Sequence, residues 1–311
     1  MIISSVHTEN GGCMLELQTI ECSKNIVSEL HKTGFLDPED FNLDPNSNYF
    51  LFKSEDGSSA IACLNADTLS RVNMKGVMLS GMKPRDITQS CFFHALKNFE
   101  LVVGLGAAGT GKTSISMAYA LHQMFRNDLN IVLCKPTVFV GKRSNAIGAI
   151  PGDHREKMAG YIDSYLVSMR KILGDSAEHH LYQMEEEGKL QFQPLELIRG
   201  MHFEDTVLII DEAQNCSPHE LMSVISRVGE NSSCIVLGDP SQIDTGARWK
   251  ETGLFALVYS DAFFESDFSV GIKLTGQYRG PMAQLAAEVL SELQEIEERS
   301  IDADTLFYSK E

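Results

Sequence analysis

Four short apolar runs constrain this chain more than any other feature: Leu101-Val102-Val103, Ile131-Val132-Leu133-Cys134, Val207-Leu208-Ile209-Ile210 and Cys234-Ile235-Val236-Leu237. They are continuous rather than alternating, the pattern of strands buried on both faces. Helical stretches separate them: Thr113 to Phe125, about Arg155 to Leu173, and a helix opened by Pro218-His219-Glu220 with Ser217 as N-cap and Gly229 past its end. A further strand is predicted over Phe268 to Leu274. Buried strands alternating with helices imply an α/β fold, a parallel sheet with right-handed crossovers and helices on its faces.

The first eighty or so residues read differently. Tyr49 to Phe52 and Ala60 to Leu64 form two strands around the turn Glu55 to Ser59, and Ile26 to Thr33 reads as a short helix. The expected organisation is therefore a small α+β region over residues 1–80, without assignable chemistry, followed by an α/β domain over 81–311. The stretch from Lys135 to Glu204 is a long insertion between the second and third core strands, a natural place for specificity. No apolar run reaches the ~20 residues of a membrane span, and Met1-Ile2-Ile3-Ser4 does not resemble a signal peptide. The seven cysteines are scattered, without a Cys-x-x-Cys pair. That excludes a disulfide framework or structural zinc and leads us to expect a cytoplasmic protein. His179-His180 lacks a third ligand nearby and reads as surface. The net charge of −17 repels phosphate backbones at long range, so any nucleic-acid contact needs a local basic channel.

Chemistry concentrates at the strand ends. Gly106-Ala107-Ala108-Gly109-Thr110-Gly111-Lys112-Thr113, followed by Ser114, fits the phosphate-loop pattern and stands between a strand and a helix. Its glycines let backbone N–H groups curl round a phosphate at the positive end of a helix. Lys112 then reaches the β and γ oxygens, and the Thr113 hydroxyl binds Mg²⁺. The weaker dinucleotide pattern Gly104-x-Gly106-x-x-Gly109 is decided against by Lys112-Thr113. Asp211-Glu212 follows the third run: Asp211 is placed to hold the Mg²⁺ shell and Glu212 to polarise the attacking water. Gly238-Asp239-Pro240-Ser241-Gln242 ends the fourth, which makes Asp239 or Gln242 a candidate sensor of the γ-phosphate. Arg279 and Arg227 are candidate arginine fingers, and Gln89, upstream of the P-loop, a candidate reader of the adenine edge. Lys135, Lys142 and Arg143, with Lys157, Arg170 and Lys171 on the following helix, are candidate contacts to nucleic-acid phosphates; an intersubunit salt-bridge surface would read the same.

From Gly106 to about Gln284 these motifs resemble the PhoH-like ATPases, found in bacteria and widely in bacteriophages. The resemblance rests on Gly-Thr-Gly-Lys-Thr at 109–113, Lys135-Pro136-Thr137-Val138 with Gly141, and Pro151-Gly152-Asp153 before Glu156-Lys157. Arg199-Gly200 with Phe203, Asp211-Glu212-Ala213-Gln214-Asn215 and Gly238-Asp239-Pro240-Ser241-Gln242-Ile243-Asp244 complete it. It implies a RecA-like core related to the first half of superfamily 1 helicases. Lys112 and Thr113 would be the Walker A pair, Asp211 and Glu212 the Walker B pair, Gln242 the γ-phosphate glutamine and Gln89 the adenine reader. The resemblance also implies ATP binding and hydrolysis and an RNA-related role. Two features depart from the family: Ala107 stands where a proline is usual, and Gly280 follows Arg279 where a histidine is common. Residues 1–80 show no nuclease-like acidic constellation, and a private N-terminal region suits a phage member.

Three function classes follow. The leading one is an Mg²⁺-dependent ATPase coupled to single-stranded RNA or DNA. With too little chain after Gln277 for a second core, a homo-oligomeric ring, expected to be a hexamer, would supply an arginine in trans. The alternatives are an ATP-switched scaffold and a phosphotransferase; Glu212 and the Gly-Asp-x-x-Gln segment favour water as acceptor over the latter.

Overall fold

The computed structural model describes residues 15–65, 67–73, 78–137, 154–198, 200–278, 280–282, 285 and 289, with backbone alone at 154–161 and 164. In chain order the small N-terminal unit comprises β1 (Gln18–Cys22), α1 (Lys24–Thr33), β2 (Phe35–Leu36), β3 (Tyr49–Ser54), β4 (Ser59–Asn65) and β5 (Thr68–Arg71). The larger unit begins with α2 (Ile87–Asn98), β6 (Leu101–Leu105), α3 (Lys112–Asn127), β7 (Asn130–Lys135), α4 (His154–Leu173), α5 (Ala177–Glu186) and β8 (Leu190–Pro194). It continues with β9 (Thr206–Ile210), α6 (Pro218–Ile225), β10 (Ser233–Gly238), α7 (Gly253–Val258), α8 (Asp261–Glu265) and β11 (Ser269–Lys273).

The core sheet is six-stranded, in the order β11-β6-β10-β9-β7-β8, and parallel at every pairing. Adjacent side chains point to opposite faces. Val102, Ile131, Leu133, Val207, Ile209, Ile235 and Leu237 therefore pack with α2, α3, α4 and α5. Leu101, Val103, Val132, Leu208, Ile210, Cys234 and Val236 pack with α6, α7 and α8. This is the expected α/β arrangement, a parallel sheet with helices on both faces: the P-loop strand β6 lies inside the sheet, two strands away from β9.

One detail of the core sheet differs from the sequence reading. The insertion carries a strand, β8, on the free edge beside β7. Its burial alternates along Leu190-Gln191-Phe192-Gln193-Pro194, so the polar alternation of an edge strand hid it among the buried runs. The helix opened by Ser217 runs to Ile225, with Gly229 past its end as expected. At its start Ser217 and Glu220 form a reciprocal capping box.

The small sheet, ordered β1-β3-β4-β5-β2, packs α1 through Val27 and Leu30 against Phe50, Phe52, Ala62 and Leu69. It meets the core along β11. The Lys273 N–H donates to the Leu15 carbonyl at 2.8 Å, and the Gly271 N–H donates to Asn48 Oδ1 at 3.0 Å. Lys273 Nζ pairs with Glu16 at 2.8 Å. Leu15 packs directly over Gly271: a Cβ there would stand 2.4 Å from Leu15 Cδ1, so the leucine would have to move. An open parallel edge is thereby capped.

Candidate nucleotide-binding site

The C-terminal ends of β6, β7, β9 and β10 open into a cavity of about 330 Å³, the position where α/β sheets bind ligands. Gly106, Gly109 and Gly111 all take positive φ, which lets the loop turn back on itself before α3 starts at Lys112. Three neighbours fix it: the Gly106 N–H donates to Gly238 O at 3.2 Å, the Tyr278 N–H to Gly109 O at 3.2 Å, and Gln89 Nε2 to Thr110 O at 2.9 Å. Lys112 Nζ donates to the carbonyls of Gly106 and Ala107.

Thr113 and Asp211, 98 positions apart, meet here: the Thr113 hydroxyl donates to Asp211 Oδ2 at 3.1 Å. Burial, then the neighbouring Glu212, push the Asp211 carboxyl above its usual range, while Lys135 and Lys112 oppose the shift. A buried carboxylate beside a hydroxyl is a hard-oxygen pair that suits Mg²⁺, which takes few protein ligands and completes its shell with water and phosphate. Glu212 sits in the left-handed region at φ 57°, a conformation costing ~1–2 kcal/mol for a non-glycine residue. Both of its carboxylate oxygens are held. Oε2 accepts from Gln214 Nε2 at 2.7 Å, and Oε1 lies 3.6 Å from Lys135 Nζ.

Gln214, fully buried, also donates to Gln242 O at 2.9 Å and accepts the Asp239 N–H at 3.0 Å. Asn215 Oδ1 accepts the Asp244 N–H at 2.8 Å. The Asp-Glu-Ala-Gln-Asn and Gly-Asp-Pro-Ser-Gln-Ile-Asp segments thus lock together residue by residue. Within the second, Asp239 accepts from Ser241 and, at 2.6 Å, from Gln242 Nε2. Asp239 and Gln242 both line the cavity, with Asp239 as the group that aims Gln242.

Most residues expected at the site converge on it, and several differ in role. Gln89 lines the cavity, but its amide already bonds Thr110 O and the Arg85 N–H. Lys135, expected on a nucleic-acid surface, lines the nucleotide cavity beside Glu212 because parallel pairing puts the end of β7 next to that of β9. Lys171 also lines this cavity, whereas Arg170 pairs with Glu178. Arg227 lies elsewhere, in a separate cavity with Glu196 and His219. Arg279, Lys142 and Arg143 lie outside the described residues, as do the side chain of Lys157, Gly141, 151–153 and Arg199.

Sequence reasoning missed Tyr278, Arg85 and the face of α4. Tyr278 lines the cavity, its hydroxyl donates to Asp86, and the Arg85 guanidinium lies 5.0 Å over its ring. An aromatic five residues past the end of β11, the strand that pairs with the P-loop strand, was the available signal.

A model of the PhoH-like protein family matches residues 81–285, about two thirds of the sequence, and the chain belongs to that family. Protein PhoH2 of Bacillus subtilis is 33% identical over 257 residues, covering 79% of this chain and 57% of its own length. Protein PhoH of Escherichia coli K12 is 33% identical over 221 residues, covering 67% and 60%. The chain thus spans less than two thirds of either relative. Among solved structures, the Pif1 helicase from Candida albicans matches at 16% identity and a TM-score of 0.35, covering 68% of this chain and 44% of that one. That superposition is too loose to support an argument. No described helix is long and apolar enough to cross a membrane.

Proposed function

We propose that this PhoH-like family member binds ATP with Mg²⁺ and hydrolyses it. The observation that carries the reading is the meeting of Thr113 with Asp211 at 3.1 Å, between a phosphate loop and Glu212. In this reading the loop N–H groups and Lys112 hold the β- and γ-phosphates, with Ser114 beside the α-phosphate. Thr113 and Asp211 hold the metal, which when bound neutralises charge on the phosphate oxygens. Gln242 orients a water and Glu212 takes its proton. The water oxygen bonds to the γ-phosphorus as the bond to the bridging oxygen breaks, and ADP and phosphate leave. Tyr278, with Gln89, supplies the wall nearest the base.

The second half of the proposal is coupling to single-stranded RNA or DNA. Its support is the helicase-like order of the motifs and the position of Pro136-Thr137 directly after Lys135, which touches the hydrolytic glutamate. Ring assembly, as a hexamer with Arg279 or Arg227 acting in trans, and a bacterial or infected host cytoplasm as location belong to the same reading.

The test is Mg²⁺-dependent ATP hydrolysis with and without single-stranded RNA or DNA. Lys112→Ala should lower the rate by about 10²–10³-fold, and Glu212→Gln by about 10²–10⁴-fold. Stimulation by one polymer names the partner. A rate that neither polymer changes would favour an ATP-switched scaffold, and a monomer mass by sedimentation with ATP present would remove the ring.

A further inference from the structure

β7 and β9 end side by side. Cys134 pairs with Ile210, and the Asp211 N–H donates to the Cys134 carbonyl at 2.9 Å. Lys135 therefore comes level with the Walker B pair, and it lines the nucleotide cavity. Its ammonium lies 3.6 Å from Glu212 Oε1.

The two partners of this ion pair are held differently. Glu212 is fixed without the lysine: its other oxygen accepts from Gln214 Nε2 at 2.7 Å. The Lys135 backbone is also fixed, because Pro136 is buried behind it and the Thr137 N–H donates to Glu196 Oε1 at 3.1 Å. What can move is the lysine side chain, a point charge with rotatable donors on a flexible stem. At 3.6 Å the pair is longer than a charge-assisted hydrogen bond, so a more highly charged partner can draw the ammonium away.

ATP brings that partner. In the reading above, Glu212 lies about 2.6–3.2 Å from the attacking water, and the water about 3–3.5 Å from the γ-phosphorus. An ammonium 3.6 Å from Glu212 Oε1 and lining the same cavity stands beside the place of the γ-phosphate. Arg227 lines a separate cavity, so Lys135 is the cation that the fold itself brings to the hydrolytic glutamate.

We propose that Lys135 is a catalytic residue. When ATP binds, its ammonium passes from Glu212 Oε1 to a γ-phosphate oxygen, stabilises the charge there during attack, and leaves Oε1 to take the water's proton. Part of the charge expected from an arginine in trans is then supplied within the chain. This rests on the nucleotide reading above.

Lys135→Met, which keeps most of the stem, and Lys135→Arg, which keeps the charge, test it. With Mg²⁺ present, kcat for ATP hydrolysis is measured beside affinity for ADP and for the β,γ-imido analogue of ATP. Lys135→Met should lower kcat by about 10²-fold. It should weaken the analogue about tenfold and ADP by less than about twofold, because only the analogue carries a γ-phosphate. Lys135→Arg should keep most of the activity. An unchanged kcat in Lys135→Met would overturn the proposal, and so would a faster one, which would show that the lysine only restrains Glu212. Equal losses of ADP and analogue affinity, or an arginine variant as slow as the methionine one, would overturn it by marking a structural role. If the wild-type protein binds neither nucleotide, the nucleotide reading fails and the proposal falls with it, a result seen before any variant is made.

Discussion

Along β9 every residue from Thr206 to Ile210 is buried, whereas along β1 no residue from Gln18 to Cys22 is. The first strand is covered on both faces by helices, so from Val207 to Ile210 its side chains are apolar and its outlet for chemistry is past its C-terminal end, where Asp211 and Glu212 stand. The second belongs to a sheet whose packing centres on one helix, and its polar positions are solvated. The small unit's contribution is at its junction with the core, where Leu15, Glu16 and Asn48 cap β11. One region carries reactive groups on a rigid frame, and the other closes that frame's edge.

Substitutions should separate the two. Lys112→Ala should lower hydrolysis by about 10²–10³-fold yet leave the unfolding midpoint within a degree or so, since Lys112 stands at the cavity rather than in the apolar core; a large fall in midpoint would show that the site and the core are not separable. Leu15→Ala should do the reverse. Removing a fully buried leucine costs about 2–5 kcal/mol, and denaturant unfolding should show that loss while ADP affinity is retained. Loss of both together would make the small unit part of the site.

Acid provides a graded version. His94, on α2, faces Tyr49 of the small sheet, with the Tyr49 hydroxyl 3.1 Å from Nδ1, and burial pushes the imidazole down to about 4. Above pH ~6.5 the group is neutral in both folded and unfolded states and silent. As pH falls towards 4 the unfolded imidazole takes a proton that the folded one refuses, so stability drops by up to ~3 kcal/mol. His94→Gln should flatten that limb of the stability profile; an unchanged slope between pH 6.5 and 4 would remove His94 as its cause. The smallest effect should come from Ser217→Ala, which breaks the capping box before α6 at a cost of ~1 kcal/mol. Because Gln214 and Asn215 lie just before that cap, hydrolysis should fall along with stability only if the cap also steadies the Walker B turn.

Much of this was legible in the chain. The strand runs, the P-loop, Asp211-Glu212 and the Ser217 cap depend on residues within a few positions of one another, and local backbone chemistry determines them. β8 was not legible, because an edge strand with alternating glutamines lacks the continuous apolar signal. Lys135 was placed by charge on a nucleic-acid surface, since charge says nothing about which strand end lies alongside.

The sequence by itself determined an α/β core with a phosphate loop, and the residues that could hold a nucleotide and a metal. The tertiary structure alone decided that Gln214 joins Glu212 to the Asp239–Gln242 loop, that Lys135 and Lys171 belong to the nucleotide cavity, and that Leu15 seats on Gly271. Those contacts join residues from 25 to more than 250 positions apart. Strand order and helix placement set them, and these follow from packing the whole chain rather than from any local pattern.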